Sequence, residues 1–248
     1  MKVIVFGSEG AMGSNLRTAL GDTGIDFIAV DPKHEAPGVV NNLNDVQEGD
    51  VIIDFSHHSH AKALSEYAVR TNRPLVVATT GHTEDEHQEF IAASKHIPIF
   101  KSANMSFGVN LLSRILRDYA SLIEDDYDIE IIEAHHRNKI DAPSGTAYLL
   151  ADAIQEGTSG EKAFVLDRNQ RRQKRSRDQI GLSSVRGGSI AGEHTVLFAG
   201  ESDTLSITHK AQSKTLFSEG AIRAARYIIH QTPGFYTMDD LIQESRKS

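Results

Sequence analysis

The first hundred residues alternate short apolar strands with helical segments, and this alternation constrains the fold more than any other feature. Strand-like runs rich in β-branched residues lie at 1–6, 27–31, 51–55, 75–78 and 97–100, with helical patterns between them. When a helix separates two strands of one sheet, it carries the chain back across the sheet, so the strands run parallel. The sequence therefore predicts an α/β domain with a parallel sheet, ending near residue 105.

A glycine-rich turn follows the first of these strands. It reads Gly-Ser-Glu-Gly-Ala-Met-Gly at 7–13 and leads into a helical pattern. Gly7 would permit a tight turn, Gly10 the close approach of a pyrophosphate, and Gly13 contact between helix and strand. Asp31 ends the second strand, where a carboxylate can bind ribose hydroxyls. These residues predict a Rossmann-type dinucleotide-binding domain, although a βαβ turn without a nucleotide would have the same pattern.

Small polar residues follow three further strands of this predicted sheet. They are Phe55 and Ser56, then Thr79, Thr80 and Gly81, then Ser102, Ala103 and Asn104. Ligands of open parallel sheets bind outside the carboxyl ends of the strands, so these turns are expected on the same rim as the glycine turn. Any one of them alone could equally be an ordinary loop.

The pattern changes after residue 105. Helical stretches at 108–119 and 146–155 flank a strand at 128–133, and three strand-like runs at 180–186, 193–199 and 203–209 follow without intervening helices. Consecutive strands of this kind indicate a mixed or antiparallel sheet, and so a second, α+β domain. Helical patterns at 216–230 and 238–244 close the sequence.

The segment 133–147 concentrates groups that can transfer protons. It contains His135, His136 and Lys139 between a predicted strand and a helix for which Ser144 is a good N-cap. The free N–H groups of a helix N-terminus suit an anion. The segment predicts a site that acts on an acidic small molecule, with a purely structural histidine pair as the alternative.

Composition excludes several classes of function. The net charge of −8 argues against general nucleic-acid binding, and there is no cysteine for disulfides or thiolate chemistry. No apolar run approaches membrane length and no signal-peptide core is seen, so a cytoplasmic location is expected. The histidines at 57–60 lack partners at metal-ligand spacing, and no metal site is predicted there.

The window Arg168–Arg177 holds six arginine or lysine residues and no acid. A run of like charges is typical of a mobile, solvated loop. A loop that folds over an anionic cofactor or substrate is the main alternative, and a contact with nucleic acid is a lesser one.

The segment 133–147 resembles the signature of the 4-hydroxy-tetrahydrodipicolinate reductase family of bacterial diaminopimelate and lysine synthesis. Further stretches that resemble this family are 7–13, 53–56, 78–81, 102–110, 184–194 and 207–210. The resemblance implies a homotetramer with two domains. Residues 1–105 and 217–248 would bind the dinucleotide, and 106–216 would bind substrate and form the oligomer.

The resemblance also implies which residues form the site. NADH or NADPH would contact Gly7, Ser8, Glu9, Gly10, Ala11, Met12, Gly13, Asp31, Lys33, Phe55, Ser56, Ala78, Thr79, Thr80, Gly81, Ala103, Asn104 and Met105. A small dicarboxylate substrate would contact His136, Lys139, Gly145 and Thr146, with His135 and Lys139 as the catalytic pair.

One position departs from the family pattern. Many relatives carry an arginine where this chain has Ala11, and that arginine can meet the 2′-phosphate of NADPH. Asp31 favours a free 2′-hydroxyl and Lys33 favours a phosphate, so use of both cofactors is expected. Two other functions fit the same architecture: another two-domain NAD(P)-dependent dehydrogenase of amino-acid metabolism, or an NAD(H)-sensing module without activity.

Overall fold

The computed structural model describes residues 1–166, 168 and 173–246. The chain forms two compact units, one from Met1–Phe107 together with the chain from Lys214 onward, and one from Gly108–Ser213. Among the described residues, no helix is both long and apolar enough to cross a membrane.

The regular elements of the described residues are twelve strands and seven α-helices. The strands are β1 (Val3–Phe6), β2 (Phe27–Val30), β3 (Val39–Val40), β4 (Val51–Asp54), β5 (Leu75–Val77), β6 (Pro98–Lys101), β7 (Asp128–His135), β8 (Ala163–Val165), β9 (Gln179–Arg186), β10 (Gly192–Ala199), β11 (Thr204–Ala211) and β12 (Gly234–Tyr236). The helices are α1 (Ala11–Asp22), α2 (Ala61–Thr71), α3 (Glu84–Ala93), α4 (Phe107–Tyr119), α5 (Gly145–Gly157), α6 (Thr215–Ile228) and α7 (Met238–Ser245).

The first unit contains a seven-stranded sheet in the order β12-β6-β5-β4-β1-β2-β3, and every ladder in it is parallel. The predicted Rossmann-type sheet is confirmed. Strands β3 and β12 were not predicted, because runs of two and three residues are too short to show a period. Since the strands run parallel, their carboxyl ends lie at one edge of the sheet.

Both faces of this sheet are buried. Val3 and Val5 of β1 pack into one apolar cluster with Ala221 and Ala225 of α6, while Ile4 packs into a second cluster on the other face. Parallel strands covered on both faces need side chains that are apolar at every position, which the sequence of β1 provides. Helix α6 comes from the end of the chain, yet it completes the core of the first unit.

The second unit contains a five-stranded mixed sheet in the order β11-β10-β7-β9-β8. Strand β7 pairs parallel with β9 and antiparallel with β10, so the predicted mixed sheet is confirmed. One face packs against α4 and α5, where Ile129 and Ile131 of β7 contact a cluster that includes Leu116 and Leu150. Because side chains alternate along a strand, Glu133 and His135 lie on this same covered face.

Two arginines of the basic window donate hydrogen bonds to acidic residues of the sheet. Nη1 of Arg175 donates to Asp128 at 2.6 Å, and Arg168 donates to Glu130 at 2.5 Å. Arg175 also donates to the carbonyl of Gln179 at 2.6 Å. The acids at the start of β7 supply compensating charge for these two arginines. The two arginines of this basic window at positions 171 and 172 lie outside the described residues.

Candidate functional site

The glycine turn after β1 is crowded at two positions and open at the third. Gly7 has φ of +82°, and a Cβ on it would lie 2.7 Å from the Cα of Ser56. A Cβ on Gly13 would lie 2.0 Å from the carbonyl oxygen of Gly7, whereas one on Gly10 would have only that oxygen nearby, at 3.5 Å. Only glycine fits the two crowded positions, and Gly10 leaves room for a ligand.

Helix α1 starts at this turn without a side-chain cap. Gly10 is its N-cap, and no side chain accepts a hydrogen bond from the first turn. Uncapped N–H groups together with the helix dipole favour an anion at this end. The open space at Gly10 and the uncapped helix start therefore fit the pyrophosphate of a dinucleotide.

The remaining residues of the turn differ in exposure. Ser8 is fully buried, Met12 is partly buried and Ala11 is exposed. Glu9 is partly buried and forms an ion pair with Arg17 of α1. The turn is therefore tied both to the sheet and to its own helix.

The carboxylate of Asp31 is already engaged by the chain. It accepts hydrogen bonds from the N–H groups of Glu9 and Lys33 and contacts Nδ1 of His34, each at 3.0 Å. Burial alone would raise the pKa of Asp31, but hydrogen bonds from His34, Lys33 and Glu9 together lower it. The group is a charged anchor for the glycine turn, with the exposed Lys33 side chain beside it in sequence.

A buried acid holds the turn after β4. Asp54 Oδ1 accepts from the N–H of Ser56 at 2.9 Å and from its hydroxyl at 2.5 Å. Burial raises the pKa of Asp54 above its usual range. Phe55, between them, packs against the core. Asp54 was not singled out from the sequence, although it directly precedes the predicted turn.

The turns after β5 and β6 line a cavity of about 330 Å³. Its wall includes Thr79, Thr80, Gly81, His82, His87, Lys101, Ser102, Ala103 and Phe235. Nζ of Lys101 lies 3.1 Å from Nδ1 of His87, and burial lowers the pKa of Lys101. This cavity lies at the carboxyl edge of the sheet, the edge that also carries the glycine turn.

The other residues predicted on this rim are more buried. Ala78 is half-buried against the core, and Met105 is 3% exposed within it. Asn104 accepts a hydrogen bond from the N–H of Ser106 at 2.8 Å through Oδ1, and its carbonyl accepts from Ser102 at 2.7 Å. In this segment Ala103 is exposed and Asn104 partly buried, whereas the Met105 side chain lies in the core.

In the second unit, a buried cluster surrounds His135 at the end of β7. Nδ1 of His135 lies 2.5 Å from Oε2 of Glu133, a residue with no exposed surface. Arg186 donates to both oxygens of Glu133, at 2.8 and 2.7 Å. Burial would raise the pKa of Glu133, but hydrogen bonds from Arg186, Ser184 and His135 together lower it to about 2. Glu133 is therefore charged and orients the imidazole.

A second histidine packs against the first. The rings of His194 and His135 lie 5.1 Å apart at 72°, and Nε2 of His194 lies 2.8 Å from the hydroxyl of Ser144. Burial, with the neighbouring charge of His135, lowers the pKa of His194 to about 4. Ser144 also accepts from the N–H of Ala147 at 3.2 Å, so it caps α5 as predicted. His194 is thus uncharged at neutral pH and packs against one side of His135.

The predicted substrate residues lie in and beside the loop between β7 and α5. Nζ of Lys139 lies 2.8 Å from Asp141, and this ammonium lowers the pKa of Asp141. His136 is partly buried, while Gly145 and Thr146 form the first turn of α5. The second unit thus places all five predicted residues at one end of β7 and the start of α5.

Among the described residues, Glu133, His135 and His194 could hold a metal ion by their spacing. The guanidinium of Arg186 occupies both oxygens of Glu133 and would repel a cation there. The cluster fits proton transfer better than metal binding.

Three members of this cluster were not identified from the sequence: Glu133, Arg186 and His194. One signal was available, because Glu133 and His135 are two residues apart on a strand and so share a face. Arg186 lies 53 residues further along the chain than Glu133, and no local pattern relates them.

Comparison with known proteins covers nearly the whole chain. The family model "Dihydrodipicolinate reductase, N-terminus" matches residues 1–105, and "Dihydrodipicolinate reductase, C-terminus" matches residues 108–242. The 4-hydroxy-tetrahydrodipicolinate reductase of Caldanaerobacter subterraneus subsp. tengcongensis is 41% identical over 98% of this chain and 99% of its own. That of Staphylococcus aureus (strain MRSA252) is 42% identical over 97% of this chain and 100% of its own.

A solved structure supports the fold. Dihydrodipicolinate reductase from Paenisporosarcina sp. TG-14, solved with dipicolinate bound, superposes with a TM-score of 0.80 at 22% identity, covering 96% of this chain and 97% of that one. On the two family models and the relatives at about 40% identity, the chain belongs to the dihydrodipicolinate reductase family.

Proposed function

We propose that this chain reduces 4-hydroxy-tetrahydrodipicolinate to tetrahydrodipicolinate, with NADH or NADPH as reductant, in the synthesis of diaminopimelate and lysine. The observation that carries this proposal is the buried Glu133–His135–Arg186 cluster beside the start of α5, where proton transfer and anion binding can be combined. Family membership and the uncapped glycine turn support it. We infer a cytoplasmic location, since the dinucleotides and biosynthetic intermediates are found there.

The residues of the first unit would hold the cofactor. The glycine turn would bind the pyrophosphate, Asp31 and Lys33 would face the adenosine ribose, and the turns after β4, β5 and β6 would bind the nicotinamide half. When bound, the dihydronicotinamide supplies a hydride to the substrate ring. Because Asp31 is charged and already accepts three contacts, it offers little further capacity to a ribose hydroxyl. With Lys33 exposed beside it, we expect both cofactors to be accepted.

The residues of the second unit would hold the substrate. One ring carboxylate would meet the ammonium of Lys139 and the imidazole of His136. The other would meet backbone N–H groups at Gly145 and Thr146, where the dipole of α5 favours negative charge. Asp141 holds Lys139 in place at 2.8 Å before substrate arrives.

His135 would supply the proton of the reaction. The 4-hydroxyl leaves as water together with a hydrogen of the neighbouring ring carbon, and the unsaturated ring then gains one hydride and one proton. Glu133 accepts the hydrogen bond of Nδ1–H, so Nε2 is the atom left to deliver the proton, and the carboxylate stabilises the charged ring that precedes delivery. Lys139 would polarise the ring and help to relay that proton.

A direct test uses the condensation product of pyruvate and aspartate semialdehyde with NADH or NADPH titrated separately, following loss of the dihydronicotinamide absorbance. A positioned acid contributes roughly 10²–10⁴-fold, so His135→Ala should lower kcat by about that factor while NADH binding persists. Lys139→Ala should impair both kcat and KM, because a charged contact to carboxylate is lost. An unchanged kcat in His135→Ala would exclude the proposed acid.

The same assay distinguishes the other functions. A different dehydrogenase would leave this substrate unused and turn over an amino acid or semialdehyde. A sensing module would bind NADH without any turnover.

We also propose that the chain forms a homotetramer through the outer face of the second unit's sheet. Ile132 and Val185, on the face away from α5, are 41% and 50% exposed, and an exposed apolar patch can serve as a contact surface between subunits. A second copy of the chain can cover this face, which by itself gives a dimer, and the resemblance to the family implies the further pairing to four copies. Sedimentation equilibrium should then give four times the chain mass of 27.2 kDa.

A further inference from the structure

Arg186 bonds to both groups that position the candidate catalytic residues, which we call the two arms of the site. One arm is Glu133, which contacts His135, and the other is Asp141, which contacts Lys139. The two terminal nitrogens of Arg186 donate to the two oxygens of Glu133, and Nη2 also donates to the carbonyl of Asp141 at 2.6 Å. It is the last residue of β9 and pairs in the parallel ladder with His135. We propose that Arg186 is the positioning residue that fixes His135 and Lys139 relative to one another, an inference that rests on the proposed function.

The first arm runs through Glu133 to His135. Glu133 is fully buried, so its charge requires a compensating partner, and Arg186 supplies it at both oxygens. With Oε2 held in this way, the carboxylate has one orientation in which to accept from Nδ1 of His135 at 2.5 Å. The proton then stays on Nδ1, and Nε2, which has no hydrogen-bond partner among the described residues, is presented for proton delivery.

The second arm runs through Asp141 to Lys139. The loop that carries these residues is exposed, with Ile140 99% accessible, so it has little packing of its own to restrain it. Arg186 holds the loop through the Asp141 carbonyl, and the Asp141 carboxylate in turn holds Nζ of Lys139. Without this tether the ammonium would lose its defined distance from the imidazole.

Position 186 requires the planar, multi-donor side chain of arginine and not only its positive charge. A guanidinium presents several donors in a fixed plane, so it can bind a carboxylate with two nitrogens and a carbonyl with one of them simultaneously. Its Nε–H is buried without a hydrogen-bond partner among the described residues, and Nη1 also donates to the carbonyl of Val185 at 2.8 Å. A lysine ammonium would keep the charge beside Glu133 but could not reproduce this geometry.

The test compares Arg186→Lys with Arg175→Lys. Arg175 is a matched control, because it too bridges carboxylates of β7 and a backbone carbonyl, but at Asp128 and Glu130, away from both candidate catalytic residues. Misplacing catalytic groups by about 1 Å can cost roughly 10²-fold, so Arg186→Lys should lower kcat by about that factor with the NADH dissociation constant unchanged. Arg175→Lys should retain the wild-type kcat.

Two further variants separate the arms. Glu133→Gln removes the charge that stabilises the protonated imidazole, so the alkaline limb of the kcat profile should move to lower pH. Asp141→Ala, at an exposed side chain, should raise KM for the dicarboxylate without moving that limb. Combining Glu133→Gln with Arg186→Lys should lower kcat little beyond the worse single variant, because both act through one contact.

The outcomes distinguish this inference from the proposed function. If the wild type does not turn over the substrate, the proposed function fails. If it does, and Arg186→Lys matches Arg175→Lys in kcat, the positioning role is refuted. Should Arg186→Lys not fold, an unmoved alkaline limb in Glu133→Gln together with an unchanged KM in Asp141→Ala would refute it equally.

Discussion

Glu133 should make a large and pH-dependent contribution to the stability of this protein. Its pKa falls from an ordinary 4.5 to about 2 on folding, because bonds from Arg186, Ser184 and His135 outweigh the opposing effect of burial. At 1.36 kcal/mol per pKa unit, this fall corresponds to roughly 3 kcal/mol in the free energy of unfolding. Since the folded pKa is the lower one, the contribution is complete above about pH 4.5 and is lost as pH falls toward 2.

The measurement is urea-induced unfolding of the wild type and Glu133→Gln in steps from pH 7 to pH 3. Both proteins are compared at one concentration, because the stability of an oligomer depends on concentration. Glutamine keeps the size and hydrogen-bonding capacity of the side chain but cannot ionise. The wild type should therefore be more stable at pH 7 by on the order of 3 kcal/mol, and this difference should shrink as the solution is acidified.

Glu130→Gln is the matched control for this series. Glu130 lies on the same strand and also pairs with arginines, but its side chain is 22% exposed. Solvent screens this partly exposed pair more strongly than the buried one, so the stability difference at pH 7 should be smaller than that of Glu133→Gln. If the gap between wild type and Glu133→Gln stayed constant from pH 7 to pH 3, the reasoning about the buried charge would be wrong.

Two further predictions concern the same cluster. Because burial and the charge of His135 hold the pKa of His194 near 4, the unfolded chain takes up its proton first, and stability should fall by roughly 3 kcal/mol as pH drops from 6.5 to 4. The drop in Tm from pH 7 to 4.5 should therefore be smaller in His194→Gln, and an equal drop would contradict this. Gly192→Ala would place a methyl 3.1 Å from Nε2 of His135, where the substrate atom that accepts the proton must lie. The kcat should therefore fall by roughly 10²-fold while NADH binding stays intact. A wild-type kcat would show that this side of the imidazole ring is not used.

The sequence was sufficient for most of the fold because the signals involved are local. Apolar runs with helices between them predicted the parallel sheet, and consecutive runs after residue 180 predicted the mixed one. The short strands β3, β8 and β12 were missed, since two or three residues show no period and pair only because a neighbouring strand end lies beside them. The partners of Arg168 and Arg175 in the basic window were not predicted for a related reason, as these acids lie about forty residues earlier in the chain.

The sequence predicted which chemical groups form the candidate site, but it did not predict the contacts between them. The glycine turn, the paired histidines and Lys139 all lie within short motifs, where spacing along the backbone already limits geometry. Whether Glu133 is charged, which nitrogen of His135 faces it, and how Arg186 joins both to the Lys139 loop depend on strand register and on burial. These are properties of residues brought together from distant parts of the chain, so only the tertiary structure decides them.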